Sequence, residues 1–285
     1  VEALPKMPLT ILTAPFGLIR SANSKKIIVV KKHILFPVDL QPTKYHLSDY
    51  ANLLSHLDSK RFSAFFLKDF TKTAKGKASV INEHDKAALQ NSLQDEAKTL
   101  DLDINFINSQ SNSSGLMNQS KFADLAVISP ITHDNMGQLI QSFPDHFFED
   151  MGCPIFLTED LAHSYEEILV LFDYDQSGLA ALKSFLTIFG NVSKDKKVTI
   201  ITVSPDDAPE IHLEKYLVSY LQKVFDDVGI VPFSNKDLAD QLVAYAEKLN
   251  KPLLVMGRAA INLLKNNQLA TKLADHHMSV FYSNH

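Results

Sequence analysis

Short apolar runs alternate along the chain with stretches in which leucine returns every three or four residues. In the C-terminal half, ILVLFD, VTIITVS, GIVPF, LLVMG and SVFYS read as strands. Between them, Leu179, Leu182 and Leu186, then Leu213, Leu217, Leu221 and Val224, then Leu238, Leu242, Tyr245 and Leu249 mark helices buried along one face. The N-terminal half follows the same plan. ILFPVD precedes a helix over Leu47, Tyr50, Ala51 and Leu54, and SAFFLKDF precedes one over Leu89, Leu93 and Ala97. DINFIN, LAVIS and CPIFLT complete the set. Continuous apolar strands separated by amphipathic helices predict an α/β fold whose parallel sheet is covered on both faces.

Three pairs of segments recur in the same order. HILFPVDL resembles EILVLFDY (167 − 33 = 134), ADLAVISP resembles KPLLVMGR (251 − 123 = 128), and CPIFLT resembles MSVFYS (278 − 153 = 125). Together they argue for a duplicated domain, with copies over 31–160 and 165–285 and an N-terminal extension over 1–30. In that extension, KMPLTILTAP suggests an extra edge strand, paired across a domain or subunit boundary, and KKIIVVKK another short strand. SQSNSSGLMNQSK is polar and rich in Ser and Asn, which compete with the helix for backbone hydrogen bonds, so it reads as a loop or a frayed short helix. TKTAKGKASVINEHDK reads as a connection.

At 285 residues with 45% apolar content the chain is long enough for two cored domains. A net charge of −5 gives no footprint for nucleic acid, and no apolar run is long enough to span a bilayer. Cys153 is the only cysteine, which excludes an intrachain disulfide and suits a reducing compartment, so the cytoplasm is expected. The first residues make a poor signal peptide and lack an initiator Met.

The landmarks ILFPVDLQPTKYHLSDYANLLSHL and FADLAVISP…SFPDHFFEDMGCPIFLT resemble the opening and closing halves of the universal stress protein family. EILVLFDYDQSGLAALKSF, KPLLVMGR and ATKLADHHMSVFYS resemble it more loosely. The resemblance implies two tandem doubly wound, Rossmann-like domains, each a five-stranded parallel sheet of order 3-2-1-4-5. It also implies last strands paired antiparallel, as a dimer or as a pseudo-dimer within one chain. Some members bind ATP where the strand order reverses, between strands 1 and 4, because the connections there diverge and leave a cleft. The Asp closing strand 1 can accept from an adenine or ribose donor. The loop after strand 4, typically Gly-x2-Gly-x9-Gly-Ser/Thr, closes backbone N–H groups on phosphate.

By that resemblance the crevice of the first copy falls at Pro37, Val38, Asp39, Ser129 and Ser142, and that of the second at Asp173, Gly257 and Arg258. Both loops depart from the pattern. Ser129, Thr132 and Gln141 stand where the first copy would carry glycines, Ser142 keeps the hydroxyl, and Pro130 removes an N–H. In the second copy Gly257 matches the first glycine, Ala260 replaces the second, and Asn266–Gln268 lie near the third. The expected protein is therefore a stress-response or regulatory protein, not an enzyme, with no ATP bound through the usual loop. The alternative is an adenine-nucleotide binder with a divergent loop and weak ATPase activity. Its expected partners are its own second half, a second copy of the chain, and a protein or small ligand, with no nucleic acid and no membrane. His133–Asp134 and Asp275–His277 lack the spacing of a metal site, and Cys153 reads as a small buried residue.

Overall fold

The computed structural model describes residues 18–20, 27–29, 32–39, 47–57, 59, 61–67, 83–107, 113–129, 140, 143–144, 146–158, 165–190, 193–204, 211–265 and 278–284. The chain forms two units, Val1–Lys31 and Lys32–His285. In the first, β1 (Leu18–Arg20) and β2 (Ile27–Val29) pair antiparallel with each other. KKIIVVKK thus contains a strand, as expected, while KMPLTILTAP lies outside the described residues.

In the second unit the first copy contributes β3 (Ile34–Asp39), α1 (Leu47–His56), β4 (Arg61–Leu67), α2 (Glu83–Thr99), β5 (Asp103–Ile107), α3 (Ser113–Ser120), β6 (Leu125–Ile128), α4 (Phe147–Asp150) and β7 (Ile155–Leu157). The second contributes β8 (Glu167–Phe172), α5 (Gln176–Phe189), β9 (Lys197–Ser204), α6 (Ile211–Leu221), β10 (Val228–Ser234), α7 (Leu238–Ala246), β11 (Pro252–Gly257), a 3₁₀ turn (Arg258–Ala260), α8 (Ile261–Lys265) and β12 (Ser279–Ser283). Ten strands form one sheet in the order β10-β9-β8-β11-β12-β7-β6-β3-β4-β5. Each half therefore has the order 3-2-1-4-5, parallel throughout.

The segment around Ser113, expected as a loop or a frayed short helix, is a short helix. Tertiary anchoring outweighs its weak propensity: Leu116 is fully buried, and the Ser120 hydroxyl donates to the Met117 carbonyl and accepts the Gly152 N–H. The connection read at TKTAKGKASVINEHDK ends in the first turn of α2, which starts at Glu83. Strand β10 is an edge strand, where a proline such as Pro232 is tolerated.

The halves join where β7 and β12 run antiparallel, pairing Leu157 with Val280, Phe156 with Phe281 and Ile155 with Tyr282. Phe156 and Phe281 correspond under the repeat offset of 125, so the local two-fold passes through this pair. Apolar side chains seal both faces of the seam. On one, Phe281 meets Phe185 and Phe189 edge to face, at 5.4 and 5.9 Å between ring centres, and Phe156 lies 5.3 Å from Phe189. On the other, Tyr282 packs on Phe148, which packs on Phe147 and Phe143. Helices α1, α2, α5 and α6 cover the first face, and α3, α4, α7 and α8 the second. The Asn284 amide closes the seam by donating to the Glu149 and Met151 carbonyls.

Candidate functional site

The order reversal in each half lies between its first and fourth strands, and in open α/β sheets ligands bind beyond the C-terminal ends of such strands. In the second half β8 stops at Phe172 and α5 begins at Gln176, so three residues, 173–175, make the turn. The turn needs Tyr174 in the left-handed region, φ 63°. Its ring is held 5.1 Å from that of Phe172 and its hydroxyl donates to the Glu214 carboxylate on α6, contacts that offset the backbone strain. Asp173 Oδ1 accepts the Asp175 N–H, and Asp175 caps α5 by accepting from the Ser177 N–H. Two carboxylates thus stand at the start of this helix.

Gly257 ends β11 at φ −98° and ψ −175°, a conformation open to any residue. Space is what demands glycine there. A β-carbon would sit 2.4 Å from both the carbonyl carbon and oxygen of Ser177 and 2.7 Å from the Gly178 nitrogen. The loop then coils at once into the 3₁₀ turn. The Ala259 N–H points to the Ser177 hydroxyl at 3.3 Å and the Ile261 N–H bonds to the Arg258 carbonyl. Arg258 is exposed on this turn.

Burial pushes the Asp173 carboxyl above its ordinary range; the Asp175 amide opposes the shift and the Asp175 carboxylate reinforces it. A carboxyl raised on folding favours the folded state below its unfolded value, and that contribution is lost as pH rises through the folded value. Asp173→Asn keeps the acceptor and cannot ionise. The variant should therefore gain stability over the parent as pH rises from about 3 to about 7 and match it at the acid end. Urea midpoints at both ends measure this, and a gain confined to low pH contradicts it.

In the first half β3 ends at Asp39, paired with Leu67, and α1 begins only at Leu47, so residues 40–46 separate them. The Leu47 N–H at the head of α1 donates to the Glu96 carboxylate of α2 at 2.8 Å. Pro37 and Ser129 are half-buried, and Val38 pairs with Phe66 through its backbone. Pro130, Thr132, Gln141 and Ser142 lie outside the described residues, as do His133–Asp134, Asn266–Gln268 and Asp275–His277.

One arrangement had no signal in the sequence. His33 Nε2 lies 2.7 Å from the Ser63 hydroxyl, and its Nδ1 lies 2.8 Å from the Phe122 carbonyl. A carbonyl only accepts, so Nδ1 carries the proton and Nε2 faces Ser63, as in a base–nucleophile pair. Ser63 is 2% exposed, which leaves it to stitch strands together and not to attack a substrate. Cys153 is likewise inert, since burial pushes its thiol up to about 12, with the Asp124 charge adding to the shift. Among the described residues no three His, Cys, Asp or Glu side chains gather as a metal site, and no helix is long and apolar enough to cross a membrane.

A universal stress protein from Archaeoglobus fulgidus superposes with a TM-score of 0.61 at 12% identity, over 89% of this chain and 96% of that one. A protein of the universal stress protein family from Burkholderia pseudomallei aligns at 16% identity over 42% of this chain and 97% of its own, with a TM-score of 0.28. No family model and no curated protein matches the sequence. The fold is that of the universal stress proteins, present twice in one chain.

Proposed function

We propose that the chain is a universal stress protein-like regulatory protein that works through ligand or protein contacts and takes no ATP through the glycine loop. The observation that carries this reading is the fate of the loop amides in the second half. A phosphate cradle needs converging, unspent N–H groups. Here the Ala259 N–H faces the Ser177 hydroxyl and the Ile261 N–H bonds to Arg258. The carboxylates of Asp173 and Asp175 at the start of α5, and of Glu96 at the head of α1, add negative charge beside the ends of the first strands, which disfavours a phosphate at those helix starts. The single cysteine favours a cytoplasmic setting, and the reading assigns the chain no catalysis of its own.

The second reading, an adenine-nucleotide binder with a divergent loop, draws on Asp39 and Asp173 at the strand ends and on Arg258 beside Gly257. Mass spectrometry of small molecules released from the purified chain, followed by ATP titration calorimetry, separates the two. The expected result is no stoichiometric nucleotide and no saturable heat. Micromolar binding abolished by Asp39→Ala would establish the second reading.

A further inference from the structure

A cleft of about 400 Å³ lies at the seam, at the opposite ends of the strands from the crevice. Its floor comes from the first half, from Ala123 before β6 and from Cys153 and Pro154 before β7. Its wall is the face of α5 that carries Lys183, Ser184, Thr187 and Ile188. Lys32 reaches across from the first half and donates to the Ile188 carbonyl at 2.7 Å, which holds its ammonium on the wall. The Thr187 hydroxyl is spent on the Lys183 carbonyl of its own helix, and the surface beside the lysines is predominantly apolar. The volume falls within the range of small-molecule pockets, about 300–1,000 Å³.

The charge on the rim is uneven. Asp124 is pinned by the His33 N–H at 2.6 Å, so an anion is repelled from that side and steered toward Lys183 and Lys32. The pseudo-symmetric seam lacks this chemistry. Under the repeat offsets, Glu166 stands for Lys32 (32 + 134), Met278 for Cys153 (153 + 125) and Pro252 for Asp124 (124 + 128). The cationic, small-residue version therefore occurs once.

We propose that this cleft binds a small aliphatic carboxylate, its chain against Cys153, Pro154 and Ile188 and its head between Lys183 and Lys32. A monoanion with an apolar body suits it better than a multiply charged phosphate. Two ammonium groups, one exposed and one partly buried and already donating to a carbonyl, do not repay the dehydration of a dianion, whereas the apolar lining favours the chain. The site owes nothing to the reading of the nucleotide crevice and stands or falls separately.

The test titrates octanoate into the full chain by calorimetry, with ¹H–¹⁵N spectra to locate the shifts. One saturable site with a Kd below about 1 mM is expected, with shifts around Cys153 and α5. Lys183→Glu, a change at an exposed position that leaves folding intact, should weaken binding at least about tenfold, a factor that single charge contacts readily supply. Cys153→Met, which installs the residue of the other seam, should weaken it comparably by filling the floor. Inorganic phosphate should not bind measurably. Absence of saturable octanoate binding, affinity unchanged in Lys183→Glu, or phosphate binding as tightly as octanoate overturns the proposal.

Discussion

Gly257→Ala should destabilise the protein by about 3 kcal/mol or more, near the top of the range for overpacking. The usual benefit of replacing glycine acts in the opposite direction. The backbone here is accessible to alanine, so the loss of unfolded-state freedom alone would stabilise by about 0.4–1 kcal/mol. Steric overlap decides the sign. The atoms in the way at 2.4 Å are the backbone of Ser177, in the first turn of α5, and no rotamer change can move them. Helix α5 must retreat from β11, and it also contributes Phe185 and Phe189 to the seam, so the shift spreads into the core. Urea unfolding of the variant and parent gives the difference directly. A loss under about 0.5 kcal/mol, the scale of an ordinary surface change, would mean that α5 is free to move.

Phe281→Ala is the second large effect, with an expected cost of about 3–5 kcal/mol. The side chain is fully buried, meets two phenylalanines of α5 edge to face and sits on the two-fold of the seam. Truncation removes the transfer energy of the ring and leaves a cavity that α5 and β7 can only partly fill. Since Phe281 is the strand partner of Phe156 of the first half at the centre of the seam, calorimetry should show more than a lowered midpoint. The single transition is expected to broaden, with the van't Hoff enthalpy falling below the calorimetric value as the halves melt less cooperatively. A lowered midpoint with the two enthalpies still equal would place the coupling elsewhere along β7 and β12.

The strands were legible because a strand buried on both faces is an unbroken apolar run. SVFYS and ILFPVD are β12 and β3 residue for residue. The helices were legible through leucine spacing, though Val224 and Leu249, read as continuing the stripes, lie beyond the ends of α6 and α7. Apolar spacing marks a buried face and says nothing about where the last hydrogen-bonded turn falls. The site was less legible. Gly257 matches the first glycine of the family's loop, and in the fold it also serves the close approach of a helix to a strand end, which no local pattern signals. The Glu96 contact with Leu47 and the His33 contact with Ser63 join residues 49 and 30 positions apart. Long-range polar pairs of this kind have no periodicity to betray them.

The seam between β7 and β12 also fixes how the molecule responds to dilution. Two separate chains meeting through such strands would dissociate once their concentration fell below their Kd. Here the connection from β7 to β8 makes the encounter intramolecular, at an effective concentration of the order of millimolar that no dilution changes. Tyr282 and Leu157 can then differ across the two-fold, as can the two clefts, because the halves are no longer obliged to be identical. The covalent link thus frees one half to specialise while the other keeps the shared sheet intact.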